Sequence, residues 1–233
     1  MTSNPIVDLG LIVIPVLLLS AFAFGQYNAE RTRRTLKPLR LSTSAVAAVI
    51  ALVAWLSHSP LANAAPWFLI GMVFGLLGDL TLADVLPMPN RMIGGIALFG
   101  VGHVAYIIGF AQVAATLGLS DPLTGSMFWV VYVLASSFLW VLFINNPTKS
   151  RTLNLGSLIY AWLISVMAGT AGGLAIQDAR FVPTAIGGAL FLLSDLILGN
   201  RELRDNGWFL VHDVVWVIYI AGQALIVTTA LRT

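Results

Sequence analysis

Two aspartates occupy positions where a carboxylate is costly. Asp79 lies in Gly75-Leu-Leu-Gly-Asp79-Leu-Thr-Leu and Asp195 in Phe191-Leu-Leu-Ser-Asp195-Leu-Ile-Leu. An ionisable side chain at the centre of a membrane-spanning helix costs at least about 2.5–3.5 kcal/mol on insertion scales, so each one asks for a partner or a task. Two carboxyl groups brought together in a poorly solvated cleft divide into a protonated acid and an ionised base, because like charges there cannot both ionise cheaply. The competing structural reading pairs each Asp with a nearby Lys or Arg that merely fixes helix packing.

Other polar groups fall on helical stripes. Phe99, His103, Tyr106 and Phe110 follow i, i+4, i+7, i+11 spacing and share one helix face. A histidine in such a stripe needs a hydrogen-bond partner in lipid, so His103 stands as a candidate catalytic group beside Asp79 and Asp195. His212, Trp216, Tyr219 and Gln223 form a second stripe, which is expected to face the bundle interior. His212 and the adjacent Asp213 read more simply as interfacial residues. Gly71-x-x-x-Gly75 leads to Asp79 on the same side, and Gly169-x-x-x-Gly173 recurs later; small residues at this spacing allow helices to approach closely.

The elements that position these groups follow from composition. Of 233 residues, 58% are hydrophobic and only 9% charged, against roughly 25% charged in a soluble globular domain. The apolar residues come in blocks of about 18–25, each long enough to cross a hydrocarbon core roughly 30 Å thick. Blocks of that length satisfy their backbone as helices, whereas barrel strands would be about 10 residues long and alternating. The sequence therefore predicts an all-α polytopic transmembrane bundle forming one integral membrane domain, residues 1–233. Its spans are expected near 6–24, 42–58, 66–84, 92–117, 125–144, 153–176, 182–199 and 209–230. Ala65-Pro66, Pro87-Met88-Pro89, Asp121-Pro122, Asn146-Pro147, Val182-Pro183 and Asn206-Gly207 punctuate the edges. The first block is expected to be a retained span and not a secretory signal, since no basic residue precedes Arg31.

Loop charge supports the count of eight. Arg31, Arg33, Arg34, Lys37, Arg40, Arg91, Lys149, Arg151, Arg201 and Arg204 fall on one side, and only Arg180 and Arg232 on the other. Basic residues favour cytoplasmic loops, so both termini are expected on the non-cytoplasmic side. The two Asp segments also echo each other, and each is followed one span later by a Tyr with Gly three residues on: Tyr106/Gly109 and Tyr219/Gly222. Spans 3 and 7 run the same way, as a parallel four-plus-four repeat requires. Spans 3, 4, 7 and 8 hold most of the intramembrane polar groups. They are expected to enclose a cleft opening toward the cytoplasmic leaflet, with the remaining helices as packing.

Several chemistries are excluded or disfavoured. The absence of cysteine rules out disulfides and thiolate sites. No Gly-rich phosphate loop or nucleophile elbow is present, and the basic pI is explained by topology, so no nucleic-acid partner is expected. With three histidines, and His58 on the outer side, a three-histidine metal site is improbable, and no metal or cofactor is expected.

Taken in order, the motifs resemble the YhhN family of membrane proteins, whose animal members include the lysoplasmalogenases. The resemblance rests on Lys37-Pro38-Leu39, Gly78-Asp79-Leu80-Thr81-Leu82 and His103-Val-Ala-Tyr106-Ile-Ile-Gly-Phe110. Gly188-Ala-Leu-Phe191-Leu-Leu-Ser194-Asp195 and Tyr219-Ile-Ala-Gly-Gln223 complete the ordered set. It implies eight spans and hydrolysis of the vinyl ether bond of lysoplasmalogen to a fatty aldehyde and a glycerophospho-alcohol. On that reading Asp79 and Asp195 supply a general acid and an anionic stabiliser. His103, Tyr106, Ser194, Tyr219 and Gln223 position water or substrate, and Lys37 attracts the lipid phosphate. His212-Asp213 lies outside the family motif. The expected partners are a lysophospholipid or related lipid and the surrounding membrane lipids, in a multi-pass protein of the cell membrane. A proton-coupled carrier using the same carboxylates, or a scaffold without a site, are the alternatives; the scaffold requires that Asp79 and Asp195 face apart.

Overall fold

The computed structural model describes residues 4–57, 60–119 and 121–232, and among them every regular element is helical. The elements are α1 Pro5–Ala23, α2 Lys37–Leu56, α3 Ala65–Leu82 and α4 Arg91–Leu117, then α5 Pro122–Phe143, α6 Arg151–Gln177, α7 Val182–Arg204 and α8 Val211–Val227. All eight are long and apolar enough to cross a membrane. Short 3-10 turns at Ala179–Phe181 and Thr229–Leu231 complete the chain. His58, assigned to the outer side from sequence, lies outside the described residues.

Local sequence accounts for where the helices begin and end. Proline occupies the first turn of α1, α2, α3 and α7, where its missing N–H removes a donor that would have no helical partner. Asn4, Asn90 and Ser150 accept hydrogen bonds from the first free N–H groups of α1, α4 and α6. Gly118 ends α4 in the left-handed region at φ 69°. Two span edges differ clearly from the sequence expectation. Helix α2 starts at Lys37, not 42, because Pro38 sets the helical φ beneath a polar first turn. Helix α7 runs to Arg204, not 199, because its polar last turn still buries Leu203 while leaving Arg204 exposed.

Packing follows a repeated order. Helix α1 packs on α2, α2 on α3 and α3 on α4; α5 on α6, α6 on α7 and α7 on α8 repeat the series. Contacts of α4 with α6 and of α8 with α2 join the two sets, which is the arrangement a parallel repeat would give. Helices α1 and α5 are peripheral, and α5 exposes Val130, Leu134, Phe138 and Val141 on the face that a bilayer would cover.

The connections rich in Arg and Lys share one end of the bundle. The Leu210 and His212 N–H groups donate to the Arg31 and Thr32 carbonyls. Lys149 pairs with Asp205 at 3.1 Å, and Asn146 donates to the Leu203 carbonyl at 2.7 Å. Arg180 and Arg232 lie at the opposite end, beyond α6 and α8. The charge segregation read along the sequence is thus a spatial one.

Candidate functional site

At the basic end a cleft of about 310 Å³ opens among α2, α3, α4, α7 and α8. Asp79, Asp195, Tyr219, His212, Arg40 and Arg201 all line it, with Phe99 and Trp216 supplying apolar walls. A second, apolar chamber of about 180 Å³ adjoins it between α4, α5, α6 and α7. Leu82, Met92, Phe99, Asp195 and Leu198 line both. The two spaces therefore meet at a neck carrying a carboxyl group, polar on one side and hydrocarbon on the other.

One hydrogen-bonded chain terminates on Asp79. The Tyr106 hydroxyl donates to Gln223 Oε1 at 2.6 Å, Gln223 Nε2 donates to the Tyr219 oxygen at 3.1 Å, and the Tyr219 hydroxyl donates to Asp79 Oδ2 at 2.9 Å. Ser44, from α2, donates to the same Oδ2 at 2.5 Å. Each hydroxyl has a single hydrogen, so the chain has one direction and delivers two donors to one carboxylate oxygen. Asp79 Oδ1 takes no protein hydrogen bond among the described residues and is left to the cleft.

This chain is built by glycines on α3. A Cβ at Gly71 would lie 2.3 Å from the Tyr106 ring, and one at Gly75 would lie 2.8 Å from Gln223 Nε2. The Gly71-x-x-x-Gly75 pattern makes room for the two buried polar side chains as well as for helix contact. Gly169 and Gly173 have the plainer role, seating α6 against Phe128 and Gly125 of α5.

A second chain terminates on Asp195. The Tyr160 hydroxyl, from α6, donates to Asp195 Oδ2, and His103 Nε2 lies 3.1 Å from the Tyr160 oxygen. Because the single Tyr160 hydrogen goes to Asp195, His103 must donate from Nε2, which places a hydrogen on that nitrogen. His103 Nδ1 is buried without a hydrogen-bond partner among the described residues. The ring is held edge-on against Phe191, with centroids 4.8 Å apart. Ser194 stands 3.4 Å from Asp195 Oδ1, but its hydrogen is better placed on the Phe191 carbonyl at 2.7 Å. In both halves a hydroxyl from the second helix meets an aspartate of the third, 35 residues later.

The sequence candidates separate into distinct positions. Asp79, Asp195 and Tyr219 line the cleft. His103, Tyr106 and Gln223 are buried behind it and act through the chains just described. Ser194 is fully buried and bonded mainly to its own helix. Lys37 donates to the Ala83 carbonyl at the end of α3, where a cation complements the helix dipole, and it does not line the cleft. Asp213 accepts from the Arg34 and Thr35 N–H groups at 2.6 and 3.1 Å and from the Thr35 hydroxyl at 2.5 Å. It clamps the α1–α2 connection to α8. Among the described residues no three His, Asp or Glu side chains gather into a metal-ligating set.

Helices α2 and α6 are more than packing, which corrects the sequence expectation. They supply Ser44, Arg40 and Tyr160, none of which lies in the motifs that drew attention to the other helices. The equal 35-residue spacing of Ser44–Asp79 and Tyr160–Asp195 is the sequence signal that would have found two of them.

No curated protein and no solved structure matches the chain significantly. The YhhN family matches residues 39–230, a stretch containing both aspartates and both hydrogen-bonded chains. The protein belongs to the YhhN family.

Proposed function

We propose that this protein is a membrane-embedded lysoplasmalogenase-like hydrolase that cleaves the vinyl ether bond of a single-chain phospholipid. The observation that carries the reading is the position of Asp195 at the neck between a polar cleft and an apolar chamber, with Asp79 lining the same cleft. An amphiphile divides itself in the same way: head in the polar space, chain in the apolar one, and the bond joining them between.

The reaction needs a proton on the vinyl carbon remote from oxygen and an anion to stabilise the oxocarbenium ion that results. Water then adds to the carbon bearing oxygen and releases its proton. The hemiacetal collapses to aldehyde and alcohol, so one water is consumed and no oxidant is required. Asp79, receiving two hydroxyl donors on one oxygen, is furnished as the anion. Asp195 borders the hydrocarbon chamber and receives one strong donor, which suits the acid that protonates carbon. His103 and Tyr160 hold Asp195 in place; Tyr106, Gln223 and Tyr219 hold Asp79. The basic end, by its ten Lys and Arg residues, faces the cytoplasm of a cell membrane, with both termini outside.

Convergence of the two carboxyl groups speaks against a scaffold. Incubating purified protein with a vinyl-ether lysophospholipid in D₂O separates hydrolase from carrier. A fatty aldehyde bearing one deuterium at C2, beside a water-soluble glycerophospho-alcohol, supports the reading. Intact lipid crossing proteoliposomes without aldehyde would replace it with the carrier.

A further inference from the structure

Arg40 is the buried cation that neither hydrogen-bonded chain uses. It lies in the first turn of α2, 8% exposed, and lines the polar cleft. Its guanidinium carbon lies over the Trp216 ring 4.7 Å from the centroid, and the Trp216 N–H donates to Thr43 Oγ1 at 3.1 Å, which fixes the ring. Its Nε has no partner, and among the described residues no carboxylate stands within ion-pair distance. The nearby acids are already served: Asp213 by the Arg34 and Thr35 groups, and Asp79 by Ser44 and Tyr219.

Other cleft cations differ from it. Arg91 pairs with Asp84 at 3.1 Å and Arg201 with Glu30 at 3.4 Å. Arg33 lines the same cleft beside Arg40 but is exposed. A desolvated charge without a counter-ion is expensive, and its planar fork of donors matches a phosphate oxygen pair. The ring beneath it covers one side of the guanidinium and leaves its remaining N–H donors to the cleft.

We infer that Arg40, held over the Trp216 ring, is the phosphate-recognition site of the cleft and binds the phosphodiester of a single-chain lipid headgroup. This rests on the lipid reading above and moves headgroup recognition from Lys37 to Arg40. Arg33 adds long-range attraction at the mouth.

Equilibrium binding tests it without turnover. The probes are a non-cleavable 1-O-alkyl lysophosphoethanolamine and the matching 1-O-alkylglycerol, which has the same chain and no phosphate. Each is titrated against the purified full chain and its Arg40→Gln variant. The phosphate-bearing lipid should weaken by about tenfold to a hundredfold in the variant, as loss of a charge-assisted hydrogen bond implies, while the alkylglycerol binds as before. Equal weakening of both lipids, or of neither, overturns the proposal. If Arg40→Gln does not purify as a folded, monodisperse protein, Arg40→Lys takes its place, with a loss again confined to the phosphate-bearing lipid. Inorganic phosphate and glycerophosphoethanolamine serve as competitors. Inorganic phosphate competing as strongly as the lysolipid would assign the site to free phosphate and overturn the headgroup assignment. Selective loss of lipid binding in a protein that releases no aldehyde would keep this site and dismiss the hydrolase.

Discussion

Adding one methyl group at Gly75 probes whether the buried polar chain positions Asp79. In Gly75→Ala the new Cβ would lie 2.8 Å from Gln223 Nε2 and 3.4 Å from the Tyr219 oxygen. An ordinary carbon–nitrogen contact needs about 3.5 Å, so the amide must retreat by roughly 0.7 Å or α3 must shift. The Gln223–Tyr219 bond already measures 3.1 Å, and either response breaks it. Overpacking costs about 1–3 kcal/mol. A lost hydrogen bond inside a membrane bundle adds about 0.6–2 kcal/mol. Both arise from one displacement, so a total near 2–3 kcal/mol follows. Activity should fall by about tenfold to a hundredfold, since Tyr219 shifts against Asp79. Gly100→Ala is the matched control, because its Cβ meets only Leu163 at 3.6 Å, an ordinary contact. The two variants are compared by thermal unfolding in detergent and by aldehyde release. If Gly75→Ala keeps the stability and rate of Gly100→Ala, the chain does not position Asp79 and the reasoning fails.

Three further outcomes follow from the same geometry. Ser44→Ala and Tyr219→Phe each remove one donor from Asp79 Oδ2, so each should slow aldehyde release, and the double variant should show coupling because both act on one oxygen. Strictly additive losses in a double-mutant cycle would refute that. Tyr160→Phe strands His103 Nε2 as well as removing the donor to Asp195, at a cost of about 1–3 kcal/mol. Thermal unfolding should show that adding His103→Phe restores part of the stability, although not the activity. Asp213→Asn releases the α1–α2 connection, and Arg31, Arg33 and Arg34 there should become faster tryptic sites; unchanged digestion would dissolve the clamp.

Much of the framework was legible in the sequence because a bilayer permits so few solutions. Block lengths gave the helices, prolines gave their starts, and the Arg and Lys residues marked the end where four connections meet. Asp79 and Asp195 were legible for the same reason: a carboxyl group in an apolar block has no ordinary explanation. Ser44 and Tyr160 were not, since hydroxyl residues are cheap in transmembrane helices and carry no such signal alone. Arg40 reads as one more topogenic charge near a span edge, because the sequence does not say that α2 starts at Lys37 and turns that side chain over Trp216. Lys37, whose basic surroundings suggest a lipid phosphate, donates to the Ala83 carbonyl, a contact that no sequence pattern announces. Asp213, beside His212 in an apparently interfacial pair, turned out to hold a loop by its backbone.

The central claim is that Asp79 and Asp195 act together on one substrate in one cleft. Aldehyde release from a vinyl-ether lysophospholipid, measured for wild type, Asp79→Asn and Asp195→Asn in the same detergent, tests it most directly. Wild type should turn over while both variants, retaining binding of the non-cleavable ether lipid, release no aldehyde. Full turnover by either Asn variant, or binding without hydrolysis by the wild type, would contradict the account.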